Sequence, residues 1–382
     1  MEELLTQLSS FDPDVRRAAL AGIKQAVERG EARPDDQPKP WLNLHLHTFH
    51  SFNYRNWSPS RVVFEGWRTG LKYVGTVDFD TLAALDETLA AAAAFGLPAT
   101  GGFESRVFIE EYKDRVINSP GEPGIYYLCG KGFRAEPKAG TPEQKFFTRM
   151  KETAQARNRV VIERLNEYLS EVKVDYERDV LPLTPSGNPT ERHIVLAYQA
   201  RSESELRESV DRFWAGALRA PEDEVRRLRR DRPEAFQEKV RNVLIKRGGP
   251  GYITPEPRSF PRFSDVVAAT QRAGGVPVGT WLDGTSDGER DPAELTTFLA
   301  AGGIRAVAII PERNWNLKND EEKREKVGNL RRFMGVCVKA RMPVVCGTEM
   351  NKFGQPFVDD FTQPVLAEYL PYFLDSAAKI RR

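Results

Sequence analysis

Residues 41–51 read Trp-Leu-Asn-Leu-His-Leu-His-Thr-Phe-His-Ser, and their apolar and polar positions alternate. That is the pattern of a strand, whose successive side chains face opposite ways. Short apolar runs recur at 73–78, 98–105, 125–129, 276–281, 304–310 and 343–348, giving seven predicted strands. Between most of them lie helical stretches with start signals: one headed by Pro59, one at 82–95 carrying a run of alanines, then 264–273, 292–301 behind Asp291, 320–340, and a terminal helix from about 364. Such alternation predicts parallel strands joined by crossover helices.

The pattern breaks after the fourth strand. Thr141-Pro142-Glu143-Gln144 has the form of a capping box and opens a long helix to about 171. A Pro/Gly loop at 181–190, a helix from about 190 and a basic helical pair at 222–246, broken at Pro233, follow. Residues 135–260 are therefore expected to be a mostly helical insertion. At the other end, residues 1–29 read as a short helical appendage capped by Asp12 and Pro13, with Val15, Ala18, Leu20, Ile23 and Val27 as its apolar stripe, and 31–40 as a linker. The expected division is 1–40 as an N-terminal extension and 41–382 as a barrel.

A length of 382 residues suits a barrel of about 250 residues with insertions. Lys and Arg number 56 against 55 Asp and Glu, a net charge of +1, so no overall field draws the chain to nucleic acid or an acidic membrane. A small-molecule substrate is the expected partner, and the oligomeric state is left open. Cys129, Cys337 and Cys346 lack any CxxC spacing, which argues against a disulfide framework or a cysteine zinc site. The charged N-terminus is unlike a signal segment and no apolar run reaches the roughly 18 residues of a membrane span, so a cytoplasmic protein is expected.

The candidate chemistry begins with the histidines. His45, His47 and His50 are three of only four in the chain. Residues two apart share a strand face, so His45 and His47 can aim at one point, as a metal site at a strand end requires. The bland alternatives are surface histidines or a satisfied core pair.

The strand ends together spell a longer pattern: His45-Leu46-His47-Thr48, Gly75-Thr76-Val77-Asp78-Phe79-Asp80-Thr81, Gly101-Gly102-Phe103-Glu104 and Arg192-His193-Ile194. In order, these resemble the motifs of the PHP family of metal-dependent phosphoesterases, related to histidinol phosphatase and to the amino-terminal domains of some DNA polymerases. The resemblance implies a distorted, TIM-like (β/α)7 barrel. It also implies up to three metals, with ligand positions at His45, His47, Phe52, Phe79, Glu104, Tyr126 or Tyr127, His193, Glu349 and Asn351.

Phe52, Phe79 and Asn351 fill the positions of one metal, which is expected to be absent. His45, His47, Glu104 and Glu349 complete another. Glu104 and His193 remain at the third, where a tyrosine replaces a histidine. The expectation is one divalent transition metal (zinc, manganese or iron) with a second at most. A ligand at His193 would tie the insertion to the barrel.

On this reading the chain is a metal-dependent hydrolase, a phosphoesterase acting on a small phosphorylated molecule through metal-activated water. Asp78 or Glu349 would be the general base and Arg106 would steady developing negative charge. Trp281, Arg313, Asn351 and Lys352 would bind substrate at the barrel mouth. Asp78 is equally suited to orienting a ligand histidine, and Arg106 to a structural salt bridge. Two other readings stay open: a one-metal, amidohydrolase-like enzyme on a lactone, amide or sugar, and a degenerate barrel that only binds a ligand.

Overall fold

The computed structural model describes residues 1–256 and 259–381. Its elements fall into two compact units, Met1–Met150 with Glu256–Arg382, and Lys151–Pro255.

The first unit is the α/β barrel the alternation predicts. Helices α1 (Glu2–Gln7) and α2 (Pro13–Glu28) precede β1 (Leu42–Leu46), α3 (Pro59–Thr69), β2 (Tyr73–Phe79), α4 (Leu85–Phe95), β3 (Ala99–Phe108) and β4 (Ile125–Lys131). The long helix α5 (Pro142–Tyr168) leads out of it. The seven strands of the unit hydrogen-bond in sequence order, first to last. A bridge between Leu46 and Glu349, just past the last strand, brings the two edges together.

One strand departs from the expected all-parallel arrangement: β4 runs antiparallel to both β3 and its other neighbour, β5 (Val276–Trp281). A parallel return needs a crossover of a dozen or more residues, usually helical. The β3–β4 connection carries only the single turn Glu110–Tyr112. Asn118-Ser119-Pro120-Gly121-Glu122-Pro123-Gly124 then turns the chain straight back.

The buried stripe of α2 overlaps the expected one, with Ile23 buried and Leu20 and Val27 packed beside it, but is rotated away from Val15 and Ala18. Arg16, Ala19, Ile23 and Ala26 face inward on α2, while Val15 is 36% exposed. Arg16 wins the inner position because its guanidinium forks onto the Glu87 carboxylate at 2.7 Å.

The second unit contains the end of α5, then α6 (Glu191–Leu206), α7 (Val210–Leu218), α8 (Glu222–Asp231) and α9 (Pro233–Leu244) around Leu165, Val172, Tyr198, Trp214 and Phe236. Three arginines of its basic run are paired: Arg226 with Asp211 and Glu222, Arg229 with Asp211 and Glu203, and Arg230 with Asp231.

The chain then returns to the first unit with α10 (Phe263–Arg272), β5 (Val276–Trp281), α11 (Pro292–Ala301), β6 (Ala306–Ile309), α12 (Glu312–Trp315), α13 (Asp320–Ala340), β7 (Val344–Cys346), α14 (Pro364–Ala367) and α15 (Leu370–Ile380). Phe103, Tyr126, Cys129, Trp281, Phe333 and Cys346 belong to its buried core, and all three cysteines are free thiols. Among the described residues no helix is long and apolar enough to cross a membrane.

Candidate metal centre

The site begins with a bulge in β1. The register of β1 against β2 slips between Asn43 and Leu46. A bulge leaves backbone groups unpaired and re-aims the side chains near it. Two buried side chains serve the stranded groups. Asn43 Oδ1 accepts the His45 N–H at 3.0 Å, and the Lys131 ammonium, at the far end of the reversed β4, donates to Leu44 O at 2.7 Å.

Both re-aimed rings then face one carboxylate from β3. His45 Nε2 lies 3.5 Å and His47 Nε2 3.3 Å from Glu104 Oε2, and their side chains and that of Glu104 are 2%, 0% and 3% exposed. Burial opposes a charge on Glu104, but the two imidazoles outweigh it and hold the carboxyl well below the usual range. Burial is the larger influence on His45 and lowers it, against the pull of Glu104.

The three facing atoms lie within 4.8 Å of one another, and none has a hydrogen-bond partner among the described residues. Three buried polar atoms left without a hydrogen-bond partner are costly as they stand. They fit a divalent cation, and the imidazole–carboxylate set is one that zinc, manganese and iron all accept.

Glu349 is held beside this cradle through its backbone. Its N–H donates to His45 O at 2.7 Å and its carbonyl accepts the His47 N–H at 2.8 Å. Both it and Met350 take left-handed backbone, with φ +66° and +53°. The Glu349 carboxylate turns to Gln355 Nε2 at 3.1 Å and Arg313 Nη2 at 3.4 Å, outside the three-atom cluster. Burial would raise it, but Arg313 and then His45 bring it below its ordinary range.

The other sequence-derived residues fall as follows. Asp78 is buried and accepts hydrogen bonds from Thr48 and Ser51. Arg106 pairs with Glu122 at 3.3 Å and lies over the Phe260 ring at 4.9 Å. Trp281 is 1% exposed and stacks flat on Phe333, at 4.5 Å and 8°. Asn351 is half-buried and Lys352 exposed.

His193 lies in the second unit as the third residue of α6. Its Nδ1 accepts the Thr190 N–H at 3.0 Å within a capping box. Burial first, and then Arg192, push that imidazole down to about 3.

The phenylalanines expected to exclude one metal have a visible effect at Phe79, whose ring stacks on His47 at 4.5 Å. The choice between the two tyrosines is made by strand alternation. Tyr126 points into the core and exchanges hydrogen bonds with Thr280, while Tyr127 shares the face of Arg106, its partner in register, and meets the Phe79 ring at 6.4 Å.

Sequence reasoning missed Asn43, Ser51, Lys131 and Gln355. Ser51 carried a weak signal, a hydroxyl four positions after His47 just past the strand end. Lys131 carried none, because a lysine closing a strand ordinarily reads as surface.

No family model matches the sequence, and no curated protein does. Two solved structures are similar in fold. One is a candidate metal-dependent phosphoesterase from Bifidobacterium adolescentis, with TM-score 0.53 and 20% identity, covering 89% of this chain and 98% of that one. The other is an amidohydrolase from Chromobacterium violaceum, solved with sulfate and without metal, with TM-score 0.53 and 15% identity, covering 88% of this chain and 96% of that one. At such identities the likeness is one of fold.

Proposed function

We propose that this chain is a metal-dependent hydrolase, with phosphate esters of small molecules as its favoured substrates. The observation that carries the reading is the convergence of His45 Nε2, His47 Nε2 and Glu104 Oε2, buried, without a hydrogen-bond partner among the described residues and grouped within 4.8 Å. A divalent transition ion held by those atoms would supply Lewis acidity and lower the pKa of a water toward neutrality.

The remaining roles belong to the chain itself. Glu349, kept ionised beside Arg313, accepts the proton of the attacking water. Arg313, 3.4 Å from the Glu349 carboxylate and with 43% of its side chain exposed, meets the anionic oxygens, aided by Asn351 and Lys352, which follow Glu349 closely in the chain. Arg106 is already engaged with Glu122, so its contribution to anion binding is indirect.

A second reading, hydrolysis of a lactone or amide, draws support from the Phe79 ring on His47, which removes a ligand position and with it part of the clustered charge that phosphoryl transfer uses best. The amidohydrolase of like fold points the same way.

Elemental analysis of protein purified without added metal, followed by a panel of phosphomonoesters, phosphodiesters, lactones and N-acyl compounds, tests both readings. One transition metal per chain is expected, with turnover falling on the order of a thousandfold or more when His45→Ala and His47→Ala are combined. A chain that takes up no metal, or a double variant as active as the wild type, would overturn the reading. Activity confined to lactones or amides would select the second.

A further inference from the structure

His47 has two ring nitrogens, and the structure assigns a separate task to the one that faces away from Glu104. Its Nδ1 lies 3.1 Å from Ser51 Oγ. Ser51 Oγ in turn donates to Asp78 Oδ1 at 2.6 Å. The same carboxylate accepts the Thr48 N–H on Oδ1 at 2.8 Å and the Thr48 hydroxyl on Oδ2 at 2.7 Å. His47, Ser51, Thr48 and Asp78 are all fully buried, so water cannot substitute for any of these partners.

Counting protons fixes the direction of the chain. A serine hydroxyl has one hydrogen, and a carboxylate can only accept. With that hydrogen given to Asp78, the Ser51 oxygen meets Nδ1 as an acceptor, so the His47 hydrogen sits on Nδ1. A neutral imidazole carries a single ring hydrogen, so Nε2 is left bare. That bare nitrogen is the atom 3.3 Å from Glu104 Oε2 with no hydrogen-bond partner among the described residues. The backbone leaves the ring little room to escape, because the His47 N–H is held by Glu349 O, its carbonyl by Asn53 Nδ2 at 2.8 Å, and one ring face by Phe79.

We propose that Ser51 and Asp78 are positioning residues that lock His47 in its Nδ1–H tautomer before any ion arrives, presenting the Nε2 lone pair to a divalent transition metal. The proposal rests on His47 being a metal ligand, and it gives Asp78 a task other than general base. Asp78 acts through Ser51, and the Ser51 and Thr48 bonds fill its two oxygens on the sides this structure shows. The arrangement is a carboxylate–hydroxyl–imidazole relay. Groups of this kind around a metal typically change affinity by about 10–100-fold when removed.

The test reads the tautomer directly in metal-free protein. Two-bond proton–nitrogen correlation spectra of the imidazoles at mildly alkaline pH distinguish Nδ1–H from Nε2–H rings, and a chain with 4 histidines gives few signals to assign. The wild type is expected to show His47 as Nδ1–H, Ser51→Ala to lose that state, and Ser51→Thr, which keeps the hydroxyl, to restore it. Zinc affinity measured by chelator competition should fall on the order of 10–100-fold in Ser51→Ala and recover in Ser51→Thr.

A wild-type His47 in the Nε2–H form would overturn the proposal without any variant being made. So would a Ser51→Ala protein that binds zinc as tightly as the wild type. A wild type that binds no zinc would remove the purpose of the relay, and an intact Nδ1–H signal would then show that the metal reading, not the hydrogen-bond chain, had failed.

Discussion

His193 spends its ring on the helix it helps to start. The Thr190 side chain caps α6 while His193 Nδ1 reaches back to the Thr190 N–H, the reciprocal arrangement of a capping box with histidine in place of the usual Glu or Gln. The accepted N–H leaves the hydrogen of the neutral ring on Nε2. Burial holds the folded group near 3, against about 6.5 for a histidine in an unfolded chain. The unfolded state therefore takes up the proton first as pH falls. The contribution of His193 to stability is complete above the ordinary histidine range and is lost as pH drops toward 3. His193→Gln keeps the reciprocal cap and removes the titration. Its melting temperature should match the wild type near neutrality and exceed it near pH 4, and parallel profiles would refute this account. Metal content of the same variant decides whether His193 is also a ligand. The histidine was legible in the sequence as part of a motif; its service as a cap was not, because a capping box is normally read from Glu or Gln.

At the scale of elements, the site depends on how closely β7 can approach β1. Gly347 lies where an added Cβ would collide with Asn43 Oδ1 and with the backbone N and Cβ of His45. Gly347→Ala must push β1 away from β7 or twist the bulge, at a cost of about 1–3 kcal/mol. The expected outcome is a folded protein with a lowered melting temperature and a weakened hold on zinc, measured by calorimetry and chelator competition. Undiminished zinc binding would show that the bulge does not set the aim of His45. The strands themselves were legible because their apolar runs are short, bounded and separated by capped helices. The reversal of β4 was harder to read, because the connection before it is long enough for a crossover and only its Pro- and Gly-rich end, Asn118 to Gly124, hints at a turn back. The bulge was not legible: it exists because Asn43 and Lys131 serve its stranded groups, and Lys131 lies 88 residues beyond Asn43 in sequence.

At the scale of the whole molecule, two compact units each have a hydrophobic core of their own, one around Phe103, Trp281 and Phe333 and the other around Trp214 and Phe236. Chains of this kind commonly depart from two-state behaviour. Denaturant unfolding followed by far-ultraviolet circular dichroism and by tryptophan fluorescence should give transitions that do not coincide. Superimposable curves would show that both cores melt as one. Glu349 and Met350 add a further consequence. Two adjacent side-chain-bearing residues in left-handed backbone cost on the order of 1 kcal/mol each, and a glycine at either position would be relieved of it. The chain accepts that cost where the Glu349 backbone is hydrogen-bonded to those of His45 and His47. A laboratory search for heat-resistant variants would therefore be steered toward replacing Glu349, and thermal robustness selected without a functional screen would be gained by dismantling the centre.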